Sequence, residues 1–253
     1  MANKLAVVAI GGNALIKDEK RVTVEDQEVA LRETAVHLVD MIEAGWDLAI
    51  GHGNGPQVGF ILRRSEIAAK VEGMHEVPLD VCGADSQGAI GYELQQALRN
   101  EFFKRGVNKK ACTVVTQVLV DKEDAAFKKP TKPIGSFMDE AEAKRRVVAS
   151  PLPKEIVELD AVRTLLSAGQ VVITVGGGGI PVVDRGDGEL VGTAAVIDKD
   201  FASSLLANSI NAEIFIVATA VEKVAINFGK PDQQWLDKLT LAEAQAYLDE
   251  GKH

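Results

Sequence analysis

Apolar positions along this chain recur in two rhythms. Short aliphatic and β-branched runs at Leu5–Ile10, Trp46–Ile50, Thr113–Val120, Val171–Val175 and Ile214–Thr219 read as strands, and Val171–Val175 suits one buried on both faces. Between them, apolar residues return every three or four positions. Glu28–Ala44 places Leu31, Ala35, Leu38 and Ile42 on one helical face, and Gly83–Arg105 does the same with Ile90, Leu94, Ala97 and Leu98. Gly45 and Gly106 follow as helix stops. Glu155–Ala168, Phe201–Asn208 and Leu241–Glu250 also read as helices, the last behind Thr240 as its cap, and Asp139–Arg146 as a short charged one. Strands that alternate with helices imply crossovers and hence parallel pairing. The pattern predicts an α/β fold, an α/β/α sandwich around a mostly parallel sheet.

One stretch breaks the rhythm. Asp121–Phe137 is polar, and Pro130 and Pro133 hold Lys132 between them in extended geometry. We read it as part of an insert near residues 121–150 that stands off the main sheet within one domain spanning 1–253.

Composition narrows the function classes. The 253 residues carry a net charge of −9, which argues against a general nucleic-acid binder and requires any phosphate site to be built from local lysines and backbone amides. Cys82 and Cys112 have no metal-ligand spacing and read as reduced, buried thiols of an intracellular protein. No apolar run reaches membrane-spanning length, and Met1–Ile10 reads as a strand rather than a leader.

The chemistry concentrates where strands run into glycine. Leu5–Ile10 leads to Gly11-Gly12-Asn13, Trp46–Ile50 to Gly51-His52-Gly53-Asn54-Gly55-Pro56, and Val171–Val175 to Gly176-Gly177-Gly178-Gly179. Ligands bind at this edge of open α/β sheets, and glycine lets backbone N–H groups approach an anion. Past a hairpin at Asp184–Glu189, Asp198-Lys199-Asp200 opens an apolar helix, adding an ammonium and carboxylates at a helix N-terminus. Amides, ammonium and carboxylates together suit phosphate chemistry. A packing turn followed by a capped helix is the alternative reading of the same residues.

Other motifs are excluded or neutral. No GxxxxGK[ST] or complete GxGxxG occurs, so P-loop binding is out and a dinucleotide fold is disfavoured. Ser150 lacks a nucleophile-elbow setting. His52 and His75 are isolated and read as structural or surface residues. Asp80–Gln87 suits a polar pocket lining or a loop with a helix cap equally well.

Seven ordered blocks carry a more specific signal. VVAIGGNA, GHGNGPQVG, PLDVCGADSQGAIGY, AFKKPTKPIG, VGGGGIPV, AVIDKDFAS and INFGKPD span nearly the whole chain and resemble the carbamate kinases, of the amino-acid kinase fold. The resemblance implies a small subdomain protruding around PTKP, a homodimer, and a cytoplasmic enzyme that interconverts carbamoyl phosphate plus ADP with ATP plus carbamate. Mg2+ would ride on the nucleotide. In many organisms that reaction is the ATP-yielding last step of arginine fermentation.

Residue by residue, the resemblance implies that Gly11, Gly12 and Asn13 hold the transferring phosphoryl group and that Gly53 and Asn54 contact the carbamoyl end. Gly177 and Gly178 offer further amides to the substrate. Lys132, Lys199 and Asp200 become the catalytic candidates. Lys199 also faces the nucleotide, with Thr219, Val221, Lys223 and Asn227 bordering it. The phosphoryl transfer needs positioning and charge neutralisation rather than a general base, since a carbamate oxygen is already anionic.

Two departures stand out. The family carries further residues where Arg146 here meets Val147, and continues beyond the position of His253 through a lysine-bearing segment. We expect both pieces to belong to the protein, in which case its intact mass exceeds 27.0 kDa. Two other functions fit the same fold. A phosphotransferase acting on an amino-acid carboxylate is disfavoured by Ala9, because such relatives carry a lysine just before the glycine pair. A carbamoyl-phosphate-binding protein without turnover would bind ligand and form no ATP.

Overall fold

The computed structural model describes residues 4–11, 23–134, 147–219, 221 and 223–251. Their contacts divide the chain into two units, residues 1–218 and 219–253.

In chain order, the first unit contains β1 (Lys4–Ile10), α1 (Val24–Glu43), β2 (Trp46–His52), α2 (Gly55–Glu72), α3 (Leu79–Arg105), β3 (Ala111–Thr113) and β4 (Gln117–Val120). It continues through α4 (Ala125–Lys128), β5 (Lys132–Pro133), β6 (Val147–Val148), β7 (Pro153–Ile156), α5 (Leu159–Ser167) and β8 (Val171–Ile173). It ends with β9 (Ile180–Asp184), β10 (Leu190–Gly192), α6 (Lys199–Ser209) and β11 (Ile214–Ala218). The second unit is a hairpin of β12 (Val224–Ile226) and β13 (Gln234–Leu236) followed by α7 (Leu241–Asp249).

The main sheet has strand order β11-β1-β2-β8-β3 and is parallel throughout. Its side chains alternate between two cores because successive residues of a strand face opposite ways. Ala6, Val8, Ile10, Leu48, Ile50, Val171 and Ile173 meet α1 and α3 through Leu31, Leu38, Leu94 and Leu98. Val7, Ala49 and Val172 face the other way, toward Val162 of α5 and Ala202 and Leu206 of α6. The predicted three layers are therefore present. A second, mixed sheet of order β10-β9-β4-β7 adds Val118, Val120 and Ile156 to this second core.

Several elements differ from their sequence-based bounds for physical reasons. The first helix starts at Val24 rather than Glu28, because Thr23 and Asp26 form a reciprocal capping box one turn earlier. Asp80–Gln87 is neither loop nor cap but the opening of α3, which begins straight after the extended Pro78. Thr113–Val120 is not one strand. The chain leaves the main sheet after Val114 N–H donates to Ile173 O (2.9 Å), and re-pairs from Gln117 in the second sheet. Glu155 and Ile156 belong to β7 rather than to a helix, and α5 begins after Glu158, whose carboxylate accepts from Gln117 N–H at 2.7 Å. Cys112 is half-buried rather than buried; Cys82 is buried, and both thiols are free. The short helix expected at Asp139–Arg146 lies outside the described residues, save for the onset of β6 just beyond it.

Leu94 sits fully buried between α1 and the sheet. Leu94→Ala should cost about 2–5 kcal/mol, the scale for truncating a core leucine. Urea denaturation checks this; a loss under about 1 kcal/mol would mean that the α1–α3 layer repacks around the gap.

Candidate active site

Two of the predicted glycine turns meet at the C-terminal edge of the main sheet. Strand β2 ends in His52, and Gly53 N–H donates to Ile10 O at 2.9 Å, tying this turn to the end of β1. Asn54 follows as the residue before α2, with Pro56 in that helix's first turn. Beyond β8, Val175 adopts φ 45°, left-handed and rare for a β-branched residue, so the chain turns sharply out of the sheet into Gly176–Gly178. That is why the strand stops at Ile173 rather than Val175.

A cleft of ≈ 230 Å³ lies over this edge. Gly53, Asn54 and Gly177 form one part of its lining, and Lys132, Ile197, Asp198 and Lys199 another. Lys132 arrives from β5, whose pairing with β6 fixes the extended geometry that the flanking prolines suggest. Its Nζ lies 3.1 Å from Asp198 Oδ2. Lys199, the first residue of α6, pairs with Asp200 Oδ1 at 2.8 Å. The stem of Lys199 also passes Gly11, where a Cβ would lie 4.0 Å from Lys199 Cε and only 2.7 Å from Ala218 O.

The two aspartates that flank Lys199 divide their work. Asp198 is the cap, accepting from Asp200 N–H at 2.9 Å while also holding Lys132. Partial burial pushes its carboxyl up, but the Asp200 N–H and the Lys132 and Lys199 ammonium groups outweigh this, and its pKa lies below the usual carboxylate value. Among the described residues the Asp200 carboxylate makes no cap bond and pairs with Lys199.

Behind the cleft lies a polar layer built by the end of the Asp80–Gln87 stretch, which the sequence left open between a polar pocket lining and a loop with a helix cap. Gln87 is 1% exposed and bonds three ways. Its Nε2 donates to Gly176 O (2.9 Å) and Thr116 O (3.1 Å), and its Oε1 accepts from Thr116 N–H at 2.8 Å. Thr116 Oγ1 in turn accepts from Val175 N–H at 3.2 Å and lies 2.8 Å from Thr174 Oγ1. The neighbouring Ser86, also fully buried, accepts from Asn54 Nδ2 at 2.7 Å. The available signal was helical phase: Ser86 and Gln87 occupy the face that Ile90 and Leu94 continue, and polar groups on an apolar face need partners.

His52 is structural, as its isolation in the sequence suggested. Burial drives its pKa down to about 4 even though its Nδ1–H donates to Gly53 O at 2.9 Å, so the ring is neutral. Among the remaining sequence candidates, Gly178 is buried under Ile197 O, where a Cβ would not fit. Gly12 and Asn13 lie outside the described residues. Thr219, Val221, Lys223 and Asn227 belong to the second unit, where Lys223 pairs with Asp237 and Asn227 Nδ2 donates to Asp232 Oδ2 at 2.7 Å.

The histidine gives a pH prediction. Between about pH 6.5 and pH 4 the unfolded chain binds a proton at His52 that the folded chain refuses. Its contribution is whole above pH 6.5 and falls with pH through that window, by about 3 kcal/mol at the low end. His52→Gln should flatten the dependence of the urea midpoint on pH between 6.5 and 4.5. An unaltered slope would show that His52 charges freely in the folded protein.

The Amino acid kinase family model matches residues 4–252. The carbamate kinase-like protein YqeA of Escherichia coli (strain K12) is 51% identical over 267 aligned positions that take in 98% of this chain and 84% of the relative. Carbamate kinase of Clostridium perfringens (strain 13 / Type A) is 48% identical, over 97% of this chain and 84% of its own length. Among solved structures, carbamate kinase from Giardia lamblia bound to AMP-PNP superposes with a TM-score of 0.91 at 39% identity, over 99% of this chain and 84% of that one. The 267 aligned positions outnumber the 253 residues here, so the first relative has residues without a counterpart in this chain. A match that runs from the first strand of the parallel sheet to the last helix, with relatives near half identity over almost all of it, makes this chain a member of the amino acid kinase family.

Proposed function

We propose that this protein is a phosphotransferase that moves a phosphoryl group reversibly between carbamoyl phosphate and ADP, giving ATP and carbamate. One observation carries the reading. In a chain 48% identical to a carbamate kinase, a single small cleft is lined by a neutral amide wall, Asn54 and Gly177, and by two lysines, Lys132 and Lys199.

In the ATP-forming direction a β-phosphate oxygen of ADP attacks phosphorus, the bond from phosphorus to the carbamoyl oxygen breaks, and carbamate leaves with the electron pair. The chain has little covalent work to do. Lys132 and Lys199 supply positive charge to the phosphoryl oxygens. Asp198 and Asp200 keep the two ammonium groups in place before substrate arrives. Asn54 and the glycine amides position the carbamoyl end. Magnesium would neutralise nucleotide phosphate charge. The phosphate oxygens of the nucleotide are the hard donors that would carry it.

Thr219, Val221, Lys223 and Asn227 are proposed to border the nucleotide together with Lys199, and Gly11, Gly12 and Asn13 to hold the phosphoryl group. We read the segment near 121–150, which carries Lys132, as a small subdomain inserted in one kinase domain. A homodimer, a cytoplasmic location and a role at the end of arginine breakdown follow from the same reading. Among the described residues no helix is long and apolar enough to cross a membrane.

A coupled assay with carbamoyl phosphate and ADP tests the activity; absence of ATP formation despite ligand binding in calorimetry would make the protein a binder without turnover. A contrast between two lysines tests the site. Lys132→Ala should lower kcat roughly 10²–10³-fold, the scale for removing one transition-state charge stabiliser, with ADP affinity nearly normal. Lys128, exposed at the end of α4, should tolerate alanine with little change. If the two variants behave alike, or if Lys132→Ala mainly weakens ADP binding, Lys132 is not the charge that reaches the transferring group.

A further inference from the structure

The orientation of the Asn54 carboxamide is fixed by the chemistry around it. Ser86 has one hydroxyl proton, and Ser86 Oγ donates it to Gly83 O at 2.7 Å, one turn back in α3. The same oxygen is therefore left only as an acceptor, and the Asn54 atom facing it at 2.7 Å must be the amide nitrogen. On the other side of the carboxamide lies Gly177, where an added Cβ would overlap the amide itself. Asn54 Oδ1 has no hydrogen bond among the described residues, and Asn54 lines the cleft.

From this we infer that Ser86 is a specificity-determining residue: through Asn54 it presents a hydrogen-bond acceptor to the cleft and so selects a substrate whose acyl group carries an N–H donor. The inference rests on the carbamoyl phosphate reading and deepens it. Carbamoyl phosphate has an NH2 where acetyl phosphate has a methyl group of similar size. Shape cannot separate the two, whereas an acceptor held in place can. A carboxamide free to rotate would discriminate less, because its nitrogen could equally face the cleft. Ser86 touches no substrate in this account; it acts as a positioning residue through Asn54.

The test compares ATP formation from carbamoyl phosphate and from acetyl phosphate, each with ADP, in the wild type, Ser86→Ala and Ser86→Thr. Ser86→Ala should lower the preference for carbamoyl phosphate, as the ratio of kcat/KM values, by about tenfold, the scale of one neutral hydrogen bond. Most of the change should fall on the KM for carbamoyl phosphate, with acetyl phosphate turnover little altered. Ser86→Thr keeps the hydroxyl and should keep the preference. If Ser86→Ala does not fold, as judged by its thermal melt, Ser86→Cys, with its weakly accepting sulfur, should show the same loss in smaller degree. An unchanged ratio in the folded variant, or an equal loss with both substrates, overturns the role of Ser86. A wild type that makes no ATP from carbamoyl phosphate instead overturns the functional reading, and the premise of this inference with it.

Discussion

The constraint on which the site depends is the close approach of backbone to side-chain amide at the end of β2 and β8. Gln87 reaches from α3 across the edge of the sheet and satisfies Thr116 N–H, Thr116 O and Gly176 O with one carboxamide. Without it, Thr116 N–H would sit buried and unpaired at roughly 1–3 kcal/mol, while Thr116 O and Gly176 O would keep the N–H groups of Ile180 and Gly179. The same clamp supports a costly conformation. Val175 at φ 45° stores strain of order 1–3 kcal/mol, and its N–H is held by Thr116 Oγ1. The strain has a structural product: it swings the glycine turn out of the strand direction and over Asn54, where a residue with a Cβ would collide with the carboxamide.

Charge is managed by pairing rather than by excess. In a chain of net charge −9 an anionic substrate meets an unfavourable average field, and local cations must overcome it. Lys132 and Lys199 come from separate parts of the chain, a short strand and a helix start, yet each is met by an aspartate of the same tripeptide, Asp198-Lys199-Asp200. These partly exposed pairs contribute little to stability. Their value is geometric, because an ammonium already held near the cleft loses less side-chain freedom when a phosphoryl group arrives.

How far the sequence revealed this depended on whether a feature was local. The parallel layers were legible because β1, β2 and β8 are apolar on both faces and the helices between them are amphipathic. The glycine turns were legible as backbone places, since nothing else explains glycine clusters at the ends of three apolar runs. Their partners were not legible. Ser86 and Gln87 act on residues 32 and 89 positions away in the chain, and no periodicity encodes such pairs. The split between β3 and β4 was hidden for the same reason: Thr113–Val120 has strand composition throughout, and the break at Thr116 is imposed by Gln87 from another element. The division of labour between Asp198 and Asp200 was likewise open in the sequence, since either residue type caps a helix; the hydrogen bond from Asp200 N–H decides it.

These parts give the cleft a polarity that matches the proposed substrate end for end. The Asn54 and Gly177 wall is built from neutral dipoles and rests on neutral partners, Ser86 and Gln87. The same cleft is also lined by Lys132 and Lys199. Carbamoyl phosphate is similarly divided, with an uncharged amide-like end and a multiply charged phosphoryl end. A pose that set the phosphoryl group against the amides and the uncharged end against the lysines would give up the charge-assisted contacts. For the proposed substrate the neutral amides would matter to orientation as much as the lysines, because a second pair of lysines beside Asn54 would hold the phosphate equally well the wrong way round.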